Sequence, residues 1–289
     1  MKKIIIEVGS TVTKVDLFNG ETLEKMPGIT IHFKKNYDKE KKLKEEDINL
    51  LIERTNELKD ITDNIYVCGT SIFRMLKEDE LEAFLTTFKN RTNLEFHVIS
   101  QEQENELTVK GVTRLTNKRL GVMIGGGGST EIAIYDNGII ESTNSSIGVV
   151  DVMEKFPDLT EDFATTSLEE VMNYIRENLK LPKNKADILV LAGGAHKYFA
   201  LESGITYENN ILYEDINAPI MMSIENRIKD TKRYFENISL DEIRNRVEDS
   251  KWWYATRAMC AFALVIAEEI EAKYIVPTDI AMAYGLINE

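Results

Sequence analysis

The most constraining feature of the sequence is the segment from Leu120 to Ile134, which reads LGVMIGGGGSTEIAI. Apolar runs on both sides of four consecutive glycines predict two strands joined by a glycine-rich hairpin. Because glycine has no Cβ, several backbone N–H groups can converge in such a bend and hold an anion, most often a phosphate. A tight hairpin without a ligand is the alternative. The segment is not a P-loop, because no Gly-Lys-[Ser/Thr] follows and the next element is a strand.

A similar pattern occurs at the start of the chain. Residues 4–20 contain an apolar strand, a Gly-Ser-Thr turn, a second strand and an Asn-Gly turn, in the same order as the central segment. We interpret the two hairpins as an internal duplication, one in each of two domains. Two such loops that face each other would clamp a phosphate chain, whereas chance similarity of two short hairpins is the alternative.

A third candidate anion site lies between these two hairpins. The apolar run IYVC leads into Gly69-Thr70-Ser71 and then into a short helix predicted over 72–76. This order places backbone N–H groups and two hydroxyls at a helix N-terminus, where an anion is favoured. Arg74 lies one turn further on, and it either contacts that anion or forms a surface salt bridge.

The helix that begins near residue 101 opens with several acidic side chains. Ser100 and Gln103 fit a capping box, and acids in a first turn also complement the helix dipole. We therefore expect at most one of Glu102, Glu104 and Glu106 to take part in chemistry.

The net charge of −14 disfavours a nucleic-acid partner, because such a protein needs a basic surface to displace counterions. A phosphorylated substrate would need local basic residues or a metal to reverse the sign of the field at the site. Two cysteines, Cys68 and Cys260, offer neither a disulfide framework nor metal-ligand spacing. The longest apolar runs are too short to cross a membrane, and Glu7 ends the first run too early for a signal peptide. A cytoplasmic location is expected.

The length of 289 residues favours two domains or one large one. The polar segment 117–119 is the best hinge candidate, which predicts an N-terminal lobe over 1–118 and a C-terminal lobe over 119–289. The last helix could return to the N-terminal lobe. The apolar, Ala-rich helix predicted over 253–272 must be buried, either in a core or in a homodimer. His196 follows a glycine turn after a strand; it could touch a ligand, although a lone histidine is more often incidental.

Three segments share a common resemblance. They are IEVGSTVTKVDLF, the pair GTSIFRMLKEDELEAFL and FHVISQEQENELTVKGV, and VMIGGGGSTEIAI. Together they resemble the exopolyphosphatase / guanosine pentaphosphate phosphohydrolase family of the actin-like ATPase superfamily. Its pattern of Thr-Ser-x-x-Arg, then Ile-Ser-x-x-x-Glu, then Gly-Gly-Gly-Ser-Thr-Glu is matched in order and spacing. The resemblance implies an α/β fold of two actin-like (ribonuclease H-like) lobes, each a mixed five-stranded sheet with helices, with a cleft between them.

The resemblance also assigns roles. Glu104 corresponds to the general base that acts on the attacking water, and a magnesium ion is expected near Glu7 and Glu131. The residues assigned to phosphate binding are Gly9, Ser10, Thr11 and Lys14 in the first loop, Thr70, Ser71 and Arg74 in the middle segment, and Gly126, Gly127, Gly128, Ser129 and Thr130 in the second loop.

The sequence departs from the family pattern at several of these positions. Lys14 stands where Arg is usual, Glu7 where Asp is usual, and Ile124 where the family has an acid. The family's C-terminal Gly-Leu-Arg-Glu-Gly motif is replaced by the segment AMAYG, which ends at Gly285. A longer carboxylate can substitute for Asp as a ligand, but isoleucine cannot.

Three functions are therefore compared. The leading one is a phosphohydrolase that releases the terminal phosphate of inorganic polyphosphate or guanosine pentaphosphate by base-assisted attack of water. Ile124 favours the second, a catalytically altered sensor that binds phosphate or a nucleotide. The opening segment GSTVTK favours the third, an ATPase of the same superfamily, although the two cysteines do not supply the iron–sulfur ligands expected of an activator ATPase. The expected partner in each case is a phosphorylated small molecule or polyphosphate.

Overall fold

The structure is a computed structural model. It describes residues 2–9, 12–40, 42–114, 116–194, 196, 205–206, 220–246 and 253–287. The chain forms two compact units, of which unit 1 contains Met1–Glu104 with Leu286–Glu289 and unit 2 contains Asn105–Gly285. The predicted α/β class with two lobes is confirmed.

Unit 1 is built on a mixed five-stranded sheet, as predicted, with the strand order β3-β2-β1-β4-β5. Its strands are β1 (Lys3–Val8), β2 (Val12–Phe18), β3 (Leu23–Thr30), β4 (Ile65–Gly69) and β5 (Phe96–Val98). Its helices are α1 (Phe33–Glu40), α2 (Glu45–Leu58) and α3 (Glu78–Thr92), and α4 (Gln101–Thr113) begins in this unit.

The sequence predicts two strands, over 22–27 and 29–33, but β3 runs continuously through the Pro-Gly pair between them. Pro27 is tolerated because β3 is an edge strand, where a missing N–H need not face a neighbour. Gly28 is required because a Cβ there would lie 2.3 Å from the carbonyl oxygen of Thr13. The pairing of β2 and β3 shifts register between Thr13 and Val15, which accommodates this close approach.

The two faces of the unit 1 sheet differ in polarity because side chains alternate along each strand. The apolar face of β1 joins a buried cluster rich in phenylalanine, which includes Ile4, Ile6, Val8, Val15, Phe33, Phe73, Phe84, Phe88 and Phe96. The opposite face of β1 carries Glu7, which is paired in register with Lys14 of β2 and Cys68 of β4. The alternation therefore places a charged row on the face opposite the core.

Unit 2 contains a seven-stranded sheet with the order β10-β11-β12-β9-β6-β7-β8. Its strands are β6 (Leu120–Gly125), β7 (Thr130–Tyr135), β8 (Ile139–Ser145), β9 (Ile188–Ala192), β10 (Ile205–Thr206), β11 (Ile220–Ser223) and β12 (Tyr274–Pro277). Its helices are α5 (Val149–Lys155), α6 (Leu168–Asn178), α7 (Ile224–Glu236), α8 (Leu240–Arg246), α9 (Thr256–Glu269) and α10 (Met282–Gly285). The resemblance implies five strands, and β10 and β11 extend one edge beyond that number.

Helix α9 lies in the core of unit 2, where every residue from Thr256 to Ala267 is buried. The apolar composition of this helix predicts burial either in a core or in a homodimer, and the structure shows burial in the core of unit 2. Arg257 is fully buried as well, and its guanidinium donates to five backbone carbonyl oxygens, those of Leu159, Glu161, Asp162, Tyr234 and Ile238. This side chain ties α9 to the end of α7 and to the segment that follows α5.

The division between the two units falls inside α4, whereas the sequence prediction places it at 118/119. From Asn105 onward the buried side chains of α4 pack within unit 2: the Asn105 amide donates to the Ser142 hydroxyl over 2.7 Å, and Gly111 lies against Tyr284. In the described part of the chain, no helix is long and apolar enough to cross a membrane.

Candidate active site

The polar face of the unit 1 sheet carries an ion pair between neighbouring strands. Antiparallel pairing places Glu7 directly opposite Lys14, and the Lys14 ammonium donates to Glu7 Oε1 over 3.0 Å. The Glu7 side chain is only 10% exposed, whereas that of Lys14 is 52% exposed. The charge of Glu7 is the main reason that the pKa of Lys14 is raised, so this lysine stays cationic at neutral pH.

Asp16 and Cys68 lie on the same face as this pair. Burial, reinforced by the negative charge of Glu7, raises the pKa of Asp16 to about 6. The pKa of the Cys68 thiol is also raised, mainly by burial and then by the charges of Glu7 and Glu104. These interactions place the Glu104 carboxylate within electrostatic reach of the same face of the unit 1 sheet.

Arg74 and Glu104 form a second ion pair in unit 1. Arg74 Nη1 donates to Glu104 Oε2 over 2.9 Å and to the carbonyl oxygen of Ile99 over 3.1 Å. Both side chains are about one quarter exposed, at 27% and 24%, so the pair is shielded yet reachable by a ligand. Of the three acids considered at the start of α4, Glu104 makes this contact, whereas Glu102 and Glu106 are exposed.

Two local features hold this pair in place. Ser100 Oγ accepts from the Gln103 amide and Gln103 Oε1 accepts from the Ser100 amide, so the predicted capping box is confirmed and fixes the first turn of α4. At the end of β4, a Cβ on Gly69 would lie 2.6 Å from the rings of Phe73 and Phe96. The absence of that Cβ lets both rings pack there and fixes the turn that carries Arg74.

That turn, Ser71–Arg74, is a 3-10 helix of four residues where the sequence predicts a longer helix. A single turn has almost no macrodipole, so Arg74 and not a helix N-terminus supplies the positive charge here. Thr70 precedes the turn; it is buried, and its amide donates to the Val8 carbonyl oxygen over 3.1 Å. The side chain of Ser71 lies outside the described residues.

The first predicted phosphate loop is described only at its ends. The Gly9 amide donates to the Val12 carbonyl oxygen over 3.1 Å, and a Cβ on Gly9 would lie 2.9 Å from that oxygen. Ser10 and Thr11 lie outside the described residues. The described part thus shows a hydrogen bond between the residue that follows β1 and the first residue of β2.

The glycine hairpin of unit 2 has the predicted form. Strands β6 and β7 are antiparallel, and the Gly126 amide donates to the Ser129 carbonyl oxygen over 2.9 Å. The hydroxyl of Thr130 is buried and donates to the Ile147 carbonyl oxygen over 2.8 Å. This bond leaves Thr130 no hydroxyl proton to donate to a phosphate, although the sequence assigns it to phosphate binding.

The direction of the glycine peptides follows from their contacts with α5. The amides of Val149 and Val150 donate to the carbonyl oxygens of Gly126 and Gly127 over 3.2 and 2.8 Å. In a planar trans peptide the C=O and the following N–H point in opposite directions. The N–H groups of Gly127 and Gly128 therefore both point away from α5, as an anion-binding pair requires.

Gly148 makes this arrangement possible. A Cβ at that position would lie 2.5 Å from backbone atoms of Gly126 and Gly127, so only glycine lets α5 approach the hairpin this closely. By contrast, a Cβ on Gly128 would meet no atom within 4 Å. The space beside the Cα of Gly128 is therefore open.

Glu131, the residue of unit 2 expected to bind magnesium, faces an apolar residue at the position where the family has an acid. Glu131 is buried and lies directly opposite Ile124 in the β6–β7 register, with Ala192 of β9 on the other side of Ile124. Within the described ranges, no group of three or more His, Cys, Asp or Glu side chains could hold a metal ion. Glu7 is the remaining predicted ligand, and its carboxylate is paired with Lys14.

His196 is buried in unit 2. Burial, together with the positive charge of Arg227, lowers its pKa to about 3, so the imidazole is neutral at pH 7. Its Nδ1 makes no hydrogen bond in the part of the chain that the structure describes. Among the described residues, no contact favours a ligand role for His196 over the incidental one.

Comparison with known proteins now identifies the family. A model of the Ppx/GppA phosphatase family matches residues 27–275. The chain belongs to the Ppx/GppA phosphatase family. This result confirms the resemblance seen in the sequence, and it extends beyond the glycine motifs to most of the chain. A search of curated protein sequences found no match.

Solved structures of Ppx/GppA proteins share the fold. The type II variant of the Aquifex aeolicus Ppx/GppA phosphatase has a TM-score of 0.79 and 19% identity, over 99% of this chain and 98% of that one. An exopolyphosphatase from Cytophaga hutchinsonii has a TM-score of 0.72 and 15% identity, over 100% and 97%. Nucleoside triphosphate hydrolases from Neospora caninum are more distant, with a TM-score of 0.58 and 10% identity over 99% and 91%. At these identities the comparisons establish the fold alone.

Proposed function

We propose that this Ppx/GppA chain hydrolyses the terminal phosphoanhydride bond of inorganic polyphosphate or guanosine pentaphosphate. The observation that carries the proposal is the Arg74–Glu104 pair in unit 1, in which a partly shielded carboxylate contacts a guanidinium at 2.9 Å. A base for water and a cation for phosphate oxygens are the two groups that such a hydrolysis needs. Family membership supports the same class of reaction.

In the proposed mechanism, a terminal phosphate oxygen replaces Glu104 as the partner of Arg74. The guanidinium can take two phosphate oxygens at once, which a point charge cannot. The Glu104 carboxylate then accepts a hydrogen bond from a water molecule. Binding of a phosphate to Arg74 thus makes the Glu104 carboxylate accessible to the attacking water.

The chemical step transfers one proton and exchanges one bond. The water oxygen attacks the terminal phosphorus, its proton passes to Glu104, and the bond to the bridging anhydride oxygen breaks, which releases inorganic phosphate and the shortened chain. Lys14 and Arg74 stabilise the charge on the transferring group, and positioning supplies most of the rate.

Magnesium, which the resemblance implies, would neutralise phosphate oxygens when bound. The donors in the described residues do not fit a resident ion: Glu7 is paired with Lys14, and Ile124 lies opposite Glu131. No step above depends on a protein-bound metal.

A second candidate function is a sensor that binds phosphate without turnover. Ile124, directly opposite Glu131 in the β6–β7 register, favours it, because the family has an acid at that position. The glycine hairpin and the Arg74–Glu104 pair would serve binding equally well. Activity measurements therefore have to separate the two functions.

The test measures phosphate release from long polyphosphate, guanosine pentaphosphate and ATP, each with and without magnesium. Glu104→Gln is compared with Glu106→Gln, which makes the same change at an exposed position of the same helix. We expect the first variant to lose about 10²- to 10⁴-fold in rate and the second to keep the wild-type rate. Tripolyphosphate binding, measured by calorimetry, should survive in both variants.

Each outcome separates the candidates. Release from polyphosphate or guanosine pentaphosphate that depends on Glu104 supports the hydrolase and identifies its substrate. Release from ATP alone would replace the proposal by the ATPase. Intact binding without release from any substrate would favour the sensor, and a Glu104→Gln protein of unchanged rate would remove Glu104 from the mechanism.

A further inference from the structure

We infer that Lys14 takes the place of a divalent cation on Glu7, so that Glu7 binds no metal ion in the free protein and instead positions Lys14 for phosphate. This inference deepens the proposed function and rests on it for the class of ligand, a phosphoanhydride. Its starting point is the mismatch between the expected magnesium site and the side chains that the chain supplies.

The first argument is the geometry of the ion pair. Lys14 Nζ lies 3.0 Å from Glu7 Oε1, and the Glu7 side chain is only 10% exposed. A magnesium ion bound to the same oxygen at its usual distance of 2.0–2.1 Å would lie within about 5 Å of the ammonium nitrogen. The ion would therefore have to displace Lys14 from a largely buried carboxylate.

The second argument is the composition of the surrounding sheet face. Asp16 lies two residues beyond Lys14 on β2, on the same face, and it is also buried. Glu7 and Asp16 are diagonal neighbours across the β1–β2 pair, a separation that side chains can bridge. Two carboxylates are enough to hold magnesium when other ligands are water or phosphate. Lys14 already occupies Glu7, one of the two carboxylates that such a site would use.

The third argument concerns the role left to Glu7. Lys14 is 52% exposed and is tethered at its tip, which reduces the freedom of a flexible cation before a ligand arrives. Glu7 is thereby a positioning residue that acts through Lys14. The divalent ion of a magnesium-dependent reaction would then enter with the phosphate chain and not ahead of it.

The test is a titration with Mn²⁺ alone, followed by electron paramagnetic resonance, in the absence of any phosphate compound. The proteins are wild type, Glu7→Gln, Lys14→Met and the double variant, with Lys14→Arg as the control that keeps the cation. We expect wild type, Glu7→Gln and Lys14→Arg to bind Mn²⁺ equally weakly. Lys14→Met should bind at least tenfold more tightly, and the double variant should lose that gain.

A saturable Mn²⁺ site in wild type that disappears in Glu7→Gln would overturn the inference, and this comparison does not need any Lys14 variant to fold. A Lys14→Met protein with a wild-type circular dichroism spectrum but no added Mn²⁺ affinity would overturn it too. Because no phosphate compound is present, these results are independent of turnover. Absence of phosphate release with the expected Mn²⁺ results would refute the proposed hydrolase and leave the role of Lys14 on Glu7 standing.

Discussion

Two glycine-to-alanine substitutions in unit 2, Gly148→Ala in the turn before α5 and Gly128→Ala in the glycine hairpin, should have opposite effects on stability. Gly148→Ala places a Cβ 2.5 Å from backbone atoms of Gly126 and Gly127. Ordinary contact begins near 3.4 Å, so the hairpin or α5 has to move by about 0.9 Å. That movement also strains the two hydrogen bonds from the start of α5. We expect a loss of about 1–3 kcal/mol in the free energy of unfolding.

Gly128→Ala meets no atom within 4 Å, and Gly128 is not in the left-handed region of φ. The added methyl group should therefore leave stability unchanged or raise it by about 0.4–1 kcal/mol, because alanine restricts the unfolded chain. The same methyl group occupies the open space in which a phosphate would meet the N–H groups of the hairpin. Tripolyphosphate affinity should fall at least tenfold.

Urea denaturation gives the free energies of unfolding, and calorimetry with tripolyphosphate gives the affinities. The two variants separate packing from binding, because Gly148→Ala is expected to lower stability and Gly128→Ala to lower only the affinity for tripolyphosphate. A Gly148→Ala protein as stable as wild type would show that α5 does not press on the hairpin. A Gly128→Ala protein with wild-type affinity would show that the hairpin does not bind the phosphate.

Further predictions concern stability. Arg257→Met removes the guanidinium that donates to five backbone carbonyl oxygens, of which that of Asp162 keeps the Leu240 amide as a donor. The free energy of unfolding, measured with urea, should fall by about 3–5 kcal/mol, whereas the exposed Lys232→Met should lower it by less than about 0.5 kcal/mol. Burial opposes ionisation of Asp158, but hydrogen bonds from Thr166 and Thr165 outweigh it and lower its pKa from 3.8 to about 2. Its stabilisation, about 1–2 kcal/mol after solvent screening, is therefore present above pH 4 and lost towards pH 2; urea titrations of Asp158→Asn should lack that loss. Burial and the charge of Arg227 lower the pKa of His196 from 6.5 to about 3, so between these pH values the imidazole takes up its proton only when the protein unfolds. The free energy of unfolding should therefore decrease as the pH is lowered from 6.5 towards 3. His196→Gln should remove this pH dependence.

Much of the fold could be predicted from local sequence patterns. The hairpin of β6 and β7, the buried helix α9 and the capping box at the start of α4 all follow from spacing within a few residues of each other. Such patterns are reliable because the physical cause, a buried face or a capped terminus, acts over the same short distance. The family motif was equally local, since its glycines and hydroxyls lie in short runs.

The errors occurred where a long-range contact overrides a local signal. The Pro-Gly pair in β3 reads as a chain break, yet the strand continues because β3 lies at the sheet edge and β2 bulges to receive Gly28. The charged run over 34–46 is typical of a solvated loop and the start of a helix, yet its first part forms α1, whose Phe33 packs against the ring of Phe73. Neither outcome can be inferred from the residues of the segment alone.

The sequence by itself determined which candidate groups for phosphate chemistry follow one another along the chain. They are the glycine-containing turns near residues 9, 69 and 126, Arg74, and the acids at the start of α4. Only the tertiary structure decided how they are used. The β1–β2 register brings Glu7 and Lys14 together as an ion pair. The packing of β4 and α4 brings Arg74 into hydrogen-bond contact with Glu104, and not with Glu102 or Glu106. The contact of α5 with the hairpin decides which way the glycine amides point. The physical reason is that charge pairing and peptide direction depend on distances across the fold, which spacing along the chain does not fix.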